Sequence, residues 1–573
     1  MKKIARVLLI TVLTSFTYVN GQEIPESNRI KKEDQIVNTL KYLVGAQTVS
    51  ESIEKLEKDS VHFIYSEEFQ NMIQQAYGSE LHWFFDAYGK QTILPNMLAN
   101  YKNDTLYLEW STPSSLHFEM PIEMTINNRS IHVAMNEGKA ELFLKDIHGL
   151  DLDPSNRVLK KSEWKDKLAL RSRLRKIEGL ELLEIPARHH FTQAYHITLD
   201  QPIDHYDESK GTFKQHMYLS HAAENKPFLM ETCGYEAYDY TKEIAKMTAG
   251  NQLIIEYRYF GNSKPDSIDW HYLSNKQAVR DYHHINTAFK EIYTGKWISS
   301  GISKGGANCI TYRSQYPNDV DVTIPYVAPI ALKREDERTT THINTIGESW
   351  CRDSTFAFQR RLLERRDEII PLLEEFASKK KYTYSIGYET ALEYAAYEYT
   401  FSFWQWLGKC DEIPGVKATA QEIFDHVNNT VGWSFYNDKT IKKLYPSYYQ
   451  HMVELGYYGF QKKHIYDLIK VVKDPDNMFF VADAKDIPEY NGDYMQKVWD
   501  YATNDGNNFI YIYGEYDTWT ACAINPSPKL NALKMVKKGG IHGVRVKDFS
   551  AEEKDKIYTA LEEWLNTTII PLD

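Results

Sequence analysis

From about residue 211 the chain alternates short apolar runs with amphipathic ones, and a long helical block interrupts that alternation once before it resumes. "GTFKQHMYLSH" (211–221), "KPFLMET" (226–232) and "NQLIIEYRYFG" (251–261) read as strands. A helix opens at Ser274 and carries Val279, Tyr282, Ile285, Phe289 and Ile292 at spacings of three and four. "KWISSGIS" (296–303) is a further strand, a helix starts at Lys304, and "VDVTIPYVAP" (320–329) is strand-like again. Strands that alternate with helices specify a mostly parallel sheet, hence an α/β fold. Residues from about 335 to 495 are then helical and rich in charge and aromatics, until "NNFIYIYGEYD" (507–517) returns to the sheet. A helical block between two strands of one sheet is most simply a cap over the sheet's edge. The ligand crevice of an open α/β sheet lies at the carboxyl ends of its strands, so the cap would cover it.

The strand–turn–helix junction in this stretch carries Gly301-Ile302-Ser303-Lys304-Gly305, a G-x-S-x-G pattern followed by Gly306. A nucleophile held on a sharp turn needs neighbours without side chains. The helix beginning at Lys304 aims backbone N–H groups at a reacting oxygen. This arrangement expects an acid and then a histidine later in the chain. Asp517 ends a late strand, and His542, within "GGIHG", is the only histidine after it. In this reading Ser303 is the nucleophile, His542 the base and Asp517 the group that orients it. The oxyanion donors are expected to be the N–H of Lys304 and those of Gly234-Tyr235, after the strand "KPFLMET".

Several stretches resemble the secreted prolyl tri/tetrapeptidyl aminopeptidase family of serine peptidases, relatives of the prolyl carboxypeptidases. They are "QPIDHYDESKGTFKQHMYL" (201–219), "EYRYFGNSKP" (256–265), "GISKGGANCITYRSQYPNDVDVTIPYVAP" (301–329), "EYTFSFWQWLGKC" (398–410), "ELGYYGF" (454–460) and "YGEYDTW" (513–519). The resemblance runs from roughly 185 to 570 and implies an α/β-hydrolase with an inserted helical cap, acting on peptides from their amino terminus. Ser303, Asp517 and His542 fall on the family's triad positions. Thr518-Trp519 follows the acid where relatives often have Pro-Trp.

An enzyme of that kind must hold a free α-ammonium at a fixed distance from Ser303. An extended tripeptide spans about 10 Å, so the anchor belongs on the cap. Glu398 and Glu454, each embedded in aromatic and apolar neighbours, are the candidates. Trp404, Trp406, Tyr399 and Phe403 of the cap could form an aromatic pocket for a substrate ring or pack in the cap's core, and Trp519 is a further candidate contact. Two other readings compete. An esterase or lipase of the same fold would want a cap of Leu and Phe without acids, and this cap carries several Glu. A non-catalytic relic would lack a member of the triad.

The remaining expectations set boundaries. Lys2, Lys3 and Arg6 precede the apolar "VLLITVLTSFTYV" (7–19), and Val19-Asn20-Gly21 offers a cut before Gln22. This predicts a signal segment over 1–21 and a periplasmic or extracellular protein without a membrane anchor. Residues 23–175 read as an accessory region of mixed α and β, 185–330 and 496–573 as two parts of the hydrolase, and 331–495 as the cap. With 67 Lys and Arg against 79 Asp and Glu, the net charge of −12 disfavours nucleic acid. No thiolate pair or H-E-x-x-H suggests a metal, and no cofactor is expected. Of the five cysteines, Cys351 and Cys410 flank helical segments of the cap and are expected to pair. Glu256 and Arg258 are expected to form a structural ion pair beside the oxyanion loop, and His283 and His284 to be ordinary helix residues.

Overall fold

The structure, a computed structural model, describes residues 18–19, 22–23 and 26–572 apart from 57–62, 92, 103–104, 113–115, 127–128, 145–149, 161–169 and 482–486. The expected signal segment lies almost wholly outside these residues. Among the described residues no helix is long and apolar enough to cross a membrane. The chain divides into two compact units, Met1–Ile177 and Glu178–Asp573.

The first unit pairs helices with short antiparallel strands. Its helices include Glu26–Val44, Ala46–Glu54 and Glu67–Tyr77, the last capped by Ser66, whose hydroxyl accepts from the Phe69 N–H. Two three-stranded sheets follow, one of them built on Thr105–Ser111 and the other on Ile122–Ile126. Alternate residues of Thr105–Ser111 are buried, the period of a half-solvated strand. Phe69, Ile73, Leu106 and Met124 meet in its core.

The second unit is built on a nine-stranded sheet. Six strands run parallel in the order Ala532–Lys537, Phe509–Gly514, Val322–Tyr326, Trp297–Ile302, Phe228–Thr232, Asn251–Ile255. Thr212–His221, Gln193–Pro202 and Leu180–Ile185 continue it as an antiparallel edge. The central strands are buried at every position, which is why they read as unbroken apolar runs. Successive side chains serve opposite faces. Ile510 and Ile512 join Ile557 and Leu561 of the final helix, whereas Phe509, Tyr511 and Tyr513 join Ala307, Ile310 and Val498. The final helix, Ala551–Leu565, starts with a capping box between Ser550 and Glu553.

Between Val322–Tyr326 and Phe509–Gly514 the chain forms the helical block, with a core of its own that includes Phe358, Leu362, Tyr399, Trp404 and Trp433. Cys351 and Cys410 form a disulfide within it. Two sequence expectations are corrected here. The strand read over 251–261 ends at Ile255, because Tyr259 and Gly261 take positive φ and turn the chain away. Glu256 and Arg258 do not pair with each other. Glu256 accepts from the N–H groups of Ala237, Asn262 and Ser263, while Arg258 binds Asp281 through two nitrogens at 2.7 and 2.8 Å.

Candidate active site

Ser303 sits between the strand Trp297–Ile302 and the helix Lys304–Gln315 with φ 58° and ψ −123°. A non-glycine residue rarely adopts this conformation and keeps it only where its surroundings impose it. Here the Ser303 N–H donates to Tyr326 O at 2.9 Å and Ser303 O accepts from Ala307 N–H at 2.9 Å. The flanking glycines are required by contact. A Cβ on Gly301 would lie 2.2 Å from Gly305 O, and one on Gly305 would lie 2.4 Å from Thr232 O. The turn is tight enough that backbone fills the space of both side chains.

Asp517 and His542 come from two loops that leave neighbouring strands. Asp517 follows Phe509–Gly514 and caps the short turn Thr518–Cys522, its Oδ1 accepting from the Trp519 N–H at 3.1 Å. That bond leaves Oδ2 to His542, whose Nδ1 lies 2.7 Å away. Both residues are buried. The loops are stitched together where the Tyr516 N–H donates to Gly540 O at 2.8 Å. Gly514 allows this approach, since a Cβ there would meet Gly540 O at 2.5 Å. The cap completes the setting of the histidine. Gln405 O accepts from the His542 N–H at 2.9 Å, and Trp406 stands edge-on to the imidazole at 5.0 Å between ring centroids. Nothing in the local sequence links "FWQWL" to a histidine more than 130 residues later.

Ser303 and His542 open onto one cavity of about 480 Å³, a size in the usual range of small-ligand sites. Gly234, Tyr235, Lys304, Trp519 and Glu398 line it too. The N–H groups of Gly234 and Tyr235 donate to no backbone carbonyl among the described residues. Glu398 lies on the helix Tyr388–Ser402 and accepts from Ser402 Oγ at 2.7 Å and Tyr458 Oη at 2.5 Å. Burial pushes its carboxyl up to about 7 against those two hydrogen bonds, and no cation is paired with it among the described residues. Ser402 is legible as a neighbour one helical turn on, whereas Tyr458 has no local signal.

The other two candidates stand elsewhere. Glu454 does not line the cavity; its Oε1 accepts from the Asn275 N–H at 2.7 Å, at the start of the helix Asn275–Lys290, and from Gln450 Nε2 at 2.8 Å. Burial raises its carboxyl to about 7 as well. Trp404 is fully buried in the cap core, where its ring closes over Gly347, and it is Trp406, two residues on, that reaches the cavity. His283 pairs with Asp319 and His284 with Gln201, both as helix residues.

Comparison with known proteins bears on the part of the chain that carries this site. A prolyl tri/tetrapeptidyl aminopeptidase of Streptomyces mobaraensis is 28% identical over 406 residues, which cover 69% of this chain and 84% of that protein. Among solved structures, a proline iminopeptidase of Mycobacterium smegmatis matches 64% of this chain and 97% of its own at 14% identity and a TM-score of 0.32. An α/β fold family hydrolase of Bacillus anthracis strain Sterne matches 65% and 99% at 16% identity and a TM-score of 0.27. The family model for PS-10 peptidase S37 matches residues 164–570, well over half of the sequence, and the chain therefore belongs to that peptidase family.

Proposed function

We propose that this serine peptidase is an exported exopeptidase that releases tri- or tetrapeptides from free amino termini, with Ser303, His542 and Asp517 as its triad. The observation that carries the reading is one cavity bordered by Ser303 and by His542, whose Nδ1 is 2.7 Å from Asp517 Oδ2, with the carboxyl of Glu398 in its wall. His542 takes the Ser303 proton as Oγ attacks the scissile carbonyl, then returns it to the leaving amine. Asp517 fixes the tautomer and stabilises the imidazolium, while Trp519 N–H holds its other oxygen. The oxyanion is received by N–H groups of Lys304 and of the Gly234-Tyr235 loop. Water then releases the acyl peptide from Ser303 by the same proton path.

Glu398 supplies the amino-terminal anchor in this scheme. A buried carboxyl without a cation binds a substrate ammonium through a charge-assisted hydrogen bond. Its distance from Ser303 would set how many residues precede the cut. The cap that carries it limits access to chain ends. The mature protein begins near Gln22, outside the cell membrane.

Two measurements test the reading. A fluorophosphonate should label Ser303 in the mature protein, and a mixed peptide library should yield tri- and tetrapeptides from unblocked members. Absence of label at Ser303, or equal internal cleavage of acetylated peptides, would overturn it. Amino-terminal sequencing of protein recovered from the culture medium or periplasm tests export.

A further inference from the structure

Three successive carbonyls of the loop after Phe228–Thr232 are each held by a different donor. Cys233 O accepts from Asn308 Nδ2 at 3.0 Å, Gly234 O from Lys304 Nζ at 3.1 Å, and Tyr235 O from the Tyr257 N–H at 3.1 Å. Lys304 and Asn308 are one turn apart on the helix that begins at Ser303, so a single helix face grips two consecutive peptides of the loop. The same helix start touches the loop from below, where Thr232 Oγ1 donates to Gly305 O at 2.9 Å. A Cβ on Gly234 would lie 2.8 Å from Gly305 N.

Lys304 is an unusual residue for this place. Its side chain is 3% exposed, and no carboxylate pairs with it among the described residues. Its Nζ stands 3.4 Å from the centroid of the Tyr257 ring, with Phe260 and Tyr235 further out. Burial holds its pKa well below the ordinary lysine range, opposed by the nearby Glu454 carboxyl. His451 feels the same charge. The amine donates to Gly234 O whether or not it carries the extra proton, so the clamp does not depend on titration. Burying a lysine costs several kcal/mol unless its polar head is satisfied. A sequence that needed only a filler here would use leucine or methionine.

We propose that Lys304 and Asn308 are positioning residues that aim the oxyanion donors at the carbonyl attacked by Ser303. In a trans peptide the C=O and N–H point in opposite directions, and the chain has no cis bonds among its described residues. Pinning Cys233 O and Gly234 O to the helix therefore turns the N–H groups of Gly234 and Tyr235 the other way. Among the described residues neither of these N–H groups has a backbone partner, and both residues line the cavity that holds Ser303. The helix thus carries the nucleophile at its start, one oxyanion donor in its first N–H, and the clamp for the second donor in its side chains. This inference rests on Ser303 being the nucleophile.

The test uses Lys304→Met, which keeps the volume of the stem and removes the donor, and Asn308→Ala. Removing one oxyanion donor outright costs about 10²–10³ in kcat, so loosening it should cost roughly 10–100-fold. Lys304→Met is expected to slow fluorophosphonate labelling of Ser303 and kcat for a peptide substrate by that factor, with KM within about threefold. A peptide boronate, which places an oxygen in the oxyanion position, should lose affinity in proportion, and the released tripeptide should not. A role in packing alone would weaken boronate and tripeptide together. Asn308→Ala should act in the same direction, and it carries the test if Lys304→Met does not fold. Wild-type labelling rates in both variants, or equal losses for boronate and tripeptide, would overturn the clamp while leaving the nucleophile in place. If the wild type itself is not labelled at Ser303, the nucleophile assignment falls first and the clamp with it.

Discussion

Replacing Glu398 by glutamine removes one charge from the cavity wall at nearly constant volume: its Oε1 keeps one of the two hydroxyl bonds, from Ser402 at 2.7 Å or Tyr458 at 2.5 Å, and its NH2 donates to the other hydroxyl oxygen. If Glu398 anchors the substrate ammonium, the variant loses a charge-assisted hydrogen bond of about 1.5–3 kcal/mol. That is roughly 10–150-fold in kcat/KM for a peptide with a free amino end. The same peptide acetylated at that end should be cut at similar rates by variant and wild type. The pH dependence follows from the raised carboxyl. With a value of about 7, the ionised share in the free enzyme rises from about 1% at pH 5 to about half at pH 7. The α-amino group of the substrate loses its proton near pH 8. The preference for free over acetylated peptide is therefore a bell with its top between those values, rising more than tenfold from pH 5. Taking the ratio of the two substrates cancels any pH dependence that they share. In Glu398→Gln the rising limb should vanish. A preference that is flat with pH in the wild type, or one that survives in the variant, would refute the anchor.

The same residue has a stability signature with a definite sign. A carboxyl raised from 4.5 to about 7 binds its proton more tightly in the folded chain than in the unfolded one. Its contribution is intact below the ordinary 4.5 and is lost as pH rises through 7. Glu398→Gln should therefore stabilise the protein at pH 8, by up to ~3 kcal/mol, and leave it unchanged at pH 4. Thermal melts at the two pH values read this directly.

Four further outcomes are expected. Ser303→Ala should lower peptide turnover on the order of 10⁶-fold while the thermal midpoint is retained; near-normal turnover would sink the triad. Glu454→Gln should keep the preference for free amino ends, since Glu454 does not line the cavity and is occupied by Asn275 and Gln450; loss of that preference, measured with the same pair of peptides, would make it the anchor. Arg258→Met takes both guanidinium bonds from buried Asp281, which keeps His205, and removes the donor from the carbonyls of Pro202, Ile203 and Tyr272; it should destabilise by about 3–5 kcal/mol in denaturant titrations. The Cys351–Cys410 bridge spans 59 residues, so Cys351→Ala with Cys410→Ala should cost up to ~4 kcal/mol by the loop-entropy estimate; peptide mapping without reductant that finds both thiols free would remove the premise.

What could be read from the sequence had local causes. The turn at Ser303 demands glycine on both sides because backbone atoms occupy the places of their side chains, so its signal is written within six residues. The central strands are buried on both faces and announce themselves as apolar runs. The final helix carries its capping box in four residues. The edge strand Ala532–Lys537 escaped notice for the converse reason, since it is mostly half-exposed and carries lysine at two of its six positions. The partner of Arg258 has no local signal, because Asp281 lies on a helix 23 residues away and only the tertiary fold brings them together.

The cap shows where such reading stops. Glu398 and Glu454 look alike in sequence, each an acid among aromatic and apolar residues, and burial raises both carboxyls to about 7. The difference lies in what faces them. The Glu454 carboxylate meets the N–H of Asn275 at the start of a hydrolase helix and serves as its cap. Glu398 accepts hydrogen bonds from two hydroxyls and lines the open cavity. Trp404 and Trp406 divide in the same way within one π-helical turn, one ring closing over Gly347 and the other standing against His542. The cap is joined to the sheet's loops and helices by contacts between segments more than a hundred residues apart, such as Gln405 with His542 and Glu454 with Asn275. The residues that hold His542 in place therefore belong to the part of the chain least legible from pattern, and if His542 is the base, substitutions there should change kcat without touching any motif.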